Sequence, residues 1–173
     1  KSFGTHYSVD YLGNVVGGQP ISYLNVDIGT LKSLAIRSLK EDEAVWFGCD
    51  VGKLFHRDLG VMDTALYDYE GLFGTSFDMD KQTQLEYGET LMTHAMLFTG
   101  VDLKGKSSHK WRVENSWGKE CGKKGYFLMS DDWFEQYLYE VVIDERFISK
   151  ALLKQFNQPA VHLPPWDPMG ALA

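Results

Sequence analysis

Cysteine is scarce in this chain of 173 residues: Cys49 and Cys121 are the only two, and they stand in unlike sequence contexts. Two thiols cannot build the disulfide framework of a small secreted domain, so a reducing compartment fits best. Long hydrophobic runs are missing as well. No stretch of roughly eighteen apolar residues could span a bilayer, no signal peptide opens the chain, and no Asn-x-Ser/Thr acceptor occurs. The expected setting is cytoplasmic, with no membrane partner. Positive charge is also short: 17 Lys and Arg against 24 Asp and Glu leave a net charge of -7, and the one compact basic run, Lys119 to Lys124, is broken by Glu120. Binding a phosphate backbone needs clustered cations, so nucleic acid is not an expected partner. No initiator methionine stands at Lys1, and the chain enters ordinary globular composition at once, as a fragment or a processed product would.

What is present is apolar and aromatic. An apolar fraction of 44%, with 14% aromatic residues, argues against disorder and for a domain of ordinary size with a real core. Leu31, Leu34, Ala35 and Leu39 recur at helical spacing and predict a helix of about a dozen residues from Thr30. Ala44 to Gly52 is short, apolar and bounded by charge and glycine, as a buried strand is. Residues 53–79 are irregular, aromatic and acidic, and predict an excursion of loops and short helical turns. Asp80 can cap a helix running to about Thr93. Ala95 to Leu103 and Lys110 to Asn115 predict a hairpin about a polar turn at Lys104 to His109. Strands at Tyr126 to Met129 and Tyr139 to Ile143 extend the sheet. A helix at about Ser149 to Phe156 precedes a tail in which three prolines predict extended chain.

The hairpin gives two polar residues a reason to meet. His94 and Asn115 are 21 residues apart, and paired strands of about eight residues bring the chain back to its starting level. Asn115 then lies within a few residues of directly opposite His94, close enough for side-chain contact. An amide oxygen beside an imidazole fixes the ring's tautomer and rotamer, leaving its other nitrogen to face a nucleophile. Asn suits a cysteine nucleophile, because a thiol yields its proton to His before substrate arrives and the third group need only orient the ring.

Thr93-His-Ala-Met, then Glu114-Asn-Ser-Trp-Gly118, then Gly125-Tyr-Phe127 resemble, in the right order, the histidine and asparagine boxes of papain-like cysteine peptidases. Glu43 to Lys53, Lys110 to Gly118 and the terminal Trp166 to Ala173 narrow the resemblance to the bleomycin hydrolase family, over most of this chain and as its C-terminal part. The resemblance implies an α+β papain-like fold, of which this chain supplies the antiparallel sheet half. Residues 1–162 would belong to the catalytic domain, with an insertion at about 53–79, and residues 163–173 would form an extended C-terminal arm. It further implies a cytosolic aminopeptidase of broad specificity acting on peptide or aminoacyl substrates, with no cofactor or metal. The active unit would be a homohexamer. His94 would be the general base, Asn115 its orienting group and Trp117 a cover excluding water from their hydrogen bond. The carboxylate of Ala173, at the end of the arm, would meet the substrate's amino group.

The family's nucleophile lies far upstream of the histidine in a Gln-x-x-x-x-x-Cys-Trp type of motif, which this sequence lacks. Cys49 is followed by Asp50 in a core-strand pattern, and Cys121 follows both boxes, so the nucleophile is expected in an N-terminal segment of the same protein. On that reading this piece alone is inactive. A non-catalytic papain-like module, kept for binding or assembly, is the competing class. A serine hydrolase is a weaker third, since Gly-x-Ser-x-Gly is absent. His6, His56, His109 and His162 show no partner pattern and no metal spacing.

Overall fold

The longest strand pairing follows from strict alternation. In β6 (His94–Lys104) Met96 and Phe98 are buried, and in β7 (Ser107–Glu114) Trp111 and Val113 are buried, each separated by a more exposed neighbour. Side chains two apart share a sheet face. The computed structural model describes residues 1–13 and 15–171, and it closes this hairpin with a tighter turn than the sequence predicts. Lys104 pairs with Ser107, leaving only Gly105 and Lys106 in the loop. Gly105 takes φ +66°, the left-handed region that a two-residue hairpin loop requires at its first position.

The remaining strands assemble around this hairpin. β1 (Thr5–Val9), β2 (Tyr23–Asn25) and β10 (Val161–Leu163) form a small sheet in the order β10-β1-β2. β3 (Val45–Cys49), β4 (Phe55–His56), β5 (Val61–Met62), β8 (Tyr126–Ser130) and β9 (Leu138–Val142) join the hairpin in a seven-stranded sheet ordered β4-β5-β8-β7-β6-β3-β9. Its pairings are antiparallel except for β5 with β8. Two helices pack on this sheet. α1 (Ile28–Lys40) lies against β3, β6 and β9, and α4 (Asp131–Tyr137) against β7, β8 and β9. Phe47, Phe98, Trp111 and Phe134 pack in sequence through the core, with successive ring centroids 3.9, 4.9 and 4.6 Å apart, the outer two pairs stacked and Phe98 tilted against Trp111. Trp111 and Trp133 each find an acceptor for the indole N–H, Asp131 Oδ1 at 2.9 Å and Lys53 O at 2.8 Å, so neither buried indole is an orphan donor.

Residues 53–79 are predicted to hold loops and short helical turns; the short α2 (Tyr69–Phe73) is such a turn, but β4 and β5 are strands that extend the main sheet. α3 (Lys81–Glu86) is capped by Asp80 as predicted, but it stops far short of Thr93. Gly88 turns left-handed at φ +72° and ends it, and residues 88–93 become a loop with Leu91 exposed and Met92 buried. α5 (Lys150–Phe156) follows its Ser149 cap. The tail is not extended throughout: Asp167 caps a 3-10 turn at Pro168–Gly170, because proline is acceptable at a first helical position, where no N–H is needed.

Candidate active site

The buried rows of the hairpin run out at His94 and Asn115. His94 continues the Met96 and Phe98 row, and Asn115 continues the Trp111 and Val113 row, so both side chains leave the core face at one end of the sheet, half-buried. Leu97 pairs with Glu114, and one further step of that register sets Asn115 opposite Met96, diagonal to His94. The side chains close the gap with a hydrogen bond of 2.9 Å between His94 Nε2 and Asn115 Oδ1. The predicted meeting of the two residues is therefore present.

The direction of that bond can be settled. Asn115 Oδ1 also accepts the backbone N–H of Ser116 at 2.7 Å, and a backbone N–H can only donate, which fixes the amide's orientation. Nε2 must then carry the hydrogen, and in the neutral ring Nδ1 is left with its lone pair. Nδ1 makes no hydrogen bond among the described residues. The other end of the amide is sacrificed: Asn115 Nδ2 is buried without a partner among the described residues, an arrangement that costs about 1–3 kcal/mol. A side chain serving only stability would satisfy both ends.

Trp117 lies over the pair, its ring stacked on the imidazole at 4.8 Å and 29°. Phe55 and Phe127 flank the indole at 5.8 and 6.2 Å, and the Arg57 guanidinium sits 5.5 Å above it. The loop after β7 is drawn shut from behind. Asn115 N–H donates to Gly125 O at 3.1 Å, and at Gly122, with φ +56°, an added Cβ would come within 2.5 Å of Tyr126 O and Phe127. Only glycine permits so close an approach.

The two cysteines hold structural positions. Cys49 is the cross-strand partner of His94, fully buried, and burial, reinforced by the neighbouring Asp50 charge, pushes its thiol well above the ordinary range. A nucleophile needs the opposite shift and access to solvent. Cys121 is a strut: its sulfur accepts from Arg57 Nε at 3.1 Å and donates to Trp117 O at 3.7 Å. Arg57 carries no motif and was invisible as a site neighbour until the fold placed it. Ala173 lies outside the described residues. The chain up to Asp167 is anchored: β10 runs parallel to β1, His162 Nδ1 meets Asp10 Oδ1 at 2.7 Å and Lys1 Nζ meets Asp167 at 3.0 Å.

A histidine held by an asparagine under a tryptophan thus stands at one end of the sheet of an α+β fold. Comparison with known proteins gives the family: the chain belongs to the Peptidase C1-like family, whose model matches residues 1–170. It is 45% identical over 173 residues to "Aminopeptidase C" of Listeria monocytogenes, covering 100% of this chain and 39% of that one. It is 51% identical over 171 residues to "Bleomycin hydrolase" of Homo sapiens, covering 96% of this chain and 38% of that one. Among solved structures, PepW of Lactobacillus rhamnosis superposes with a TM-score of 0.96 at 51% identity, over 100% of this chain and 40% of its own. The chain thus spans about two fifths of the length of the relatives it matches, and it shares their papain-like α+β fold. Among the described residues no helix is long and apolar enough to cross a membrane.

Proposed function

We propose that this chain is the His/Asn side of a cysteine-type aminopeptidase of broad specificity, with residues 1–162 in the catalytic domain and the arm beginning at residue 163. The reading is carried by the fixed tautomer: Asn115 holds Nε2–H of His94, and Nδ1 is left free as a base. A cysteine outside these residues supplies the nucleophile. His94 Nδ1 takes the thiol proton, the thiolate attacks the carbonyl carbon, and His94 returns the proton to the leaving amine. Water then hydrolyses the thioester with His94 again as base. Trp117 excludes water from the hydrogen bond that orients the ring, where a low dielectric strengthens it.

Relatives called aminopeptidase and hydrolase support peptide or aminoacyl substrates; the cytosolic setting and the homohexameric assembly belong to the proposal through the family resemblance alone. A carboxylate at Ala173 would attract the substrate's α-ammonium and bar longer N-terminal extensions, turning a groove into an exopeptidase pocket. Replacing His94 by Ala in the complete protein should lower turnover of an aminoacyl reporter by about 10³-fold or more. Retained turnover would refute the assignment. Removing the last residues of the arm should admit endopeptidase cleavage of blocked peptides, and an unchanged exopeptidase pattern would refute the arm's role.

A further inference from the structure

The loop that delivers His94 to its place is held by one buried carboxylate. Asp50 follows β3 directly and is 6% exposed. Its Oδ2 accepts the Thr90 hydroxyl at 3.0 Å and the Leu91 N–H at 3.3 Å, and its Oδ1 takes a longer bond of 3.4 Å from the Thr93 hydroxyl. Thr93 N–H donates to Cys49 O at 2.9 Å, which starts the β3 to β6 ladder at the Cys49 and His94 pair. Asp50 is itself fixed, its N–H bonded to Tyr137 O at 3.0 Å and Thr90 joined to the Tyr139 hydroxyl at 2.7 Å.

This carboxylate has no ion-pair partner among the described residues. The titratable groups around it are the Cys49 thiol and the phenols of Tyr137 and Tyr139, with Lys81 on the ring of Tyr139 at 4.7 Å. Burying a carboxylate without a cation is costly, and every acceptor interaction it makes goes to the four residues just before His94. Were α3 continuous to Thr93, helical bonds would set that segment. Because α3 ends at Glu86, Asp50 sets it instead.

We infer that Asp50 is a positioning residue for His94, acting through Thr90, Leu91 and Thr93 to fix where β6 begins and hence where the imidazole sits. The inference rests on His94 being the general base, as proposed above. A catalytic group displaced by about 1 Å loses up to 10²-fold in rate. In the complete protein, Asp50→Asn, which puts an amide NH₂ among donors, should lower kcat about 10- to 100-fold with KM changed less than about twofold. Thr90→Val should lower kcat by about three- to tenfold, and Thr90→Ser, which keeps the hydroxyl, should restore it to within about twofold. Circular dichroism and a cooperative melt confirm folding for each variant.

A purely structural carboxylate would lower the melting temperature and leave kcat per folded molecule unchanged. That outcome in Asp50→Asn, or in Thr90→Val should Asp50→Asn not fold, overturns the inference. Assayed alongside, His94→Ala separates the two claims. If it is active, the underlying reading fails. If it is inactive while folded Asp50→Asn turns over like the parent, only the positioning role fails.

Discussion

One hairpin carries a histidine with an oxygen partner at each end. At the turn, His109 Nδ1 meets Asp102 Oδ2 at 3.2 Å, with both side chains about half exposed. At the root, His94 Nε2 meets Asn115 Oδ1 at 2.9 Å beneath Trp117. The exposed pair has the stronger partner on paper, a carboxylate instead of an amide, yet solvent screens it and such pairs contribute about 0–1 kcal/mol. The root pair lies under an indole, its tautomer is fixed by a second donor and one amide nitrogen is left without a partner among the described residues. The two pairs differ less in the partner than in cover and one-way geometry.

Substitutions at the two ends should separate them. The largest effect after loss of His94 is expected for Asn115→Ala, which frees the ring and should lower kcat/KM of the complete protein by about 10²-fold, with activity recovered in part by Asn115→Gln only if orientation is what matters. Trp117→Ala uncovers the bond and should cost about tenfold in kcat/KM. At the turn, His109→Ala and Asp102→Ala should stay within about twofold of the parent in activity and within about 0.5 kcal/mol in stability. A large loss there would dissolve the contrast.

Burial as the deciding variable can be tested away from both ends. Lys81 reaches in beneath α4, donating to Glu135 O at 3.1 Å and to Leu138 O, and burial lowers its pKa from 10.5 to about 8. Below pH 8 folded and unfolded chains both carry the charge, and the folded one bears the cost of burying it. Between about 8 and 10.5 the unfolded chain binds more protons, so this group's contribution to stability rises with pH by on the order of 1–3 kcal/mol. Urea titrations of the parent and Lys81→Met across that window should differ in slope, the variant lacking the rise.

The root pair was legible in the sequence because its determinants are local. Strand alternation, a turn between the strands and the Asn-Ser-Trp-Gly box all lie within a short span, and a turn four residues shorter than expected still left the pairing of His94 and Asn115 in reach. α1, the Asp80 cap, the helix at about Ser149 to Phe156 and the strand at Val45–Cys49 were legible for the same reason. The parallel pairing of Val61 and Met62 with β8, the β1 to β10 ladder and the grip of Asp50 on Thr90 were not. Each joins residues at least 40 positions apart, where no periodicity carries a signal. The end of α3 was misread because the apolar spacing of Leu85, Leu91 and Met92 runs on past Gly88, whose left-handed backbone stops the helix.

The division of labour between this chain and a thiol elsewhere is the central claim, and iodoacetamide tests it most directly. The complete protein, alkylated near pH 6 and mapped by mass spectrometry, should lose activity in step with modification of a cysteine outside these 173 residues. His94→Ala should slow that modification, while Cys49 and Cys121 stay unmodified. Loss of activity in step with modification of Cys49 or Cys121 instead would contradict the account.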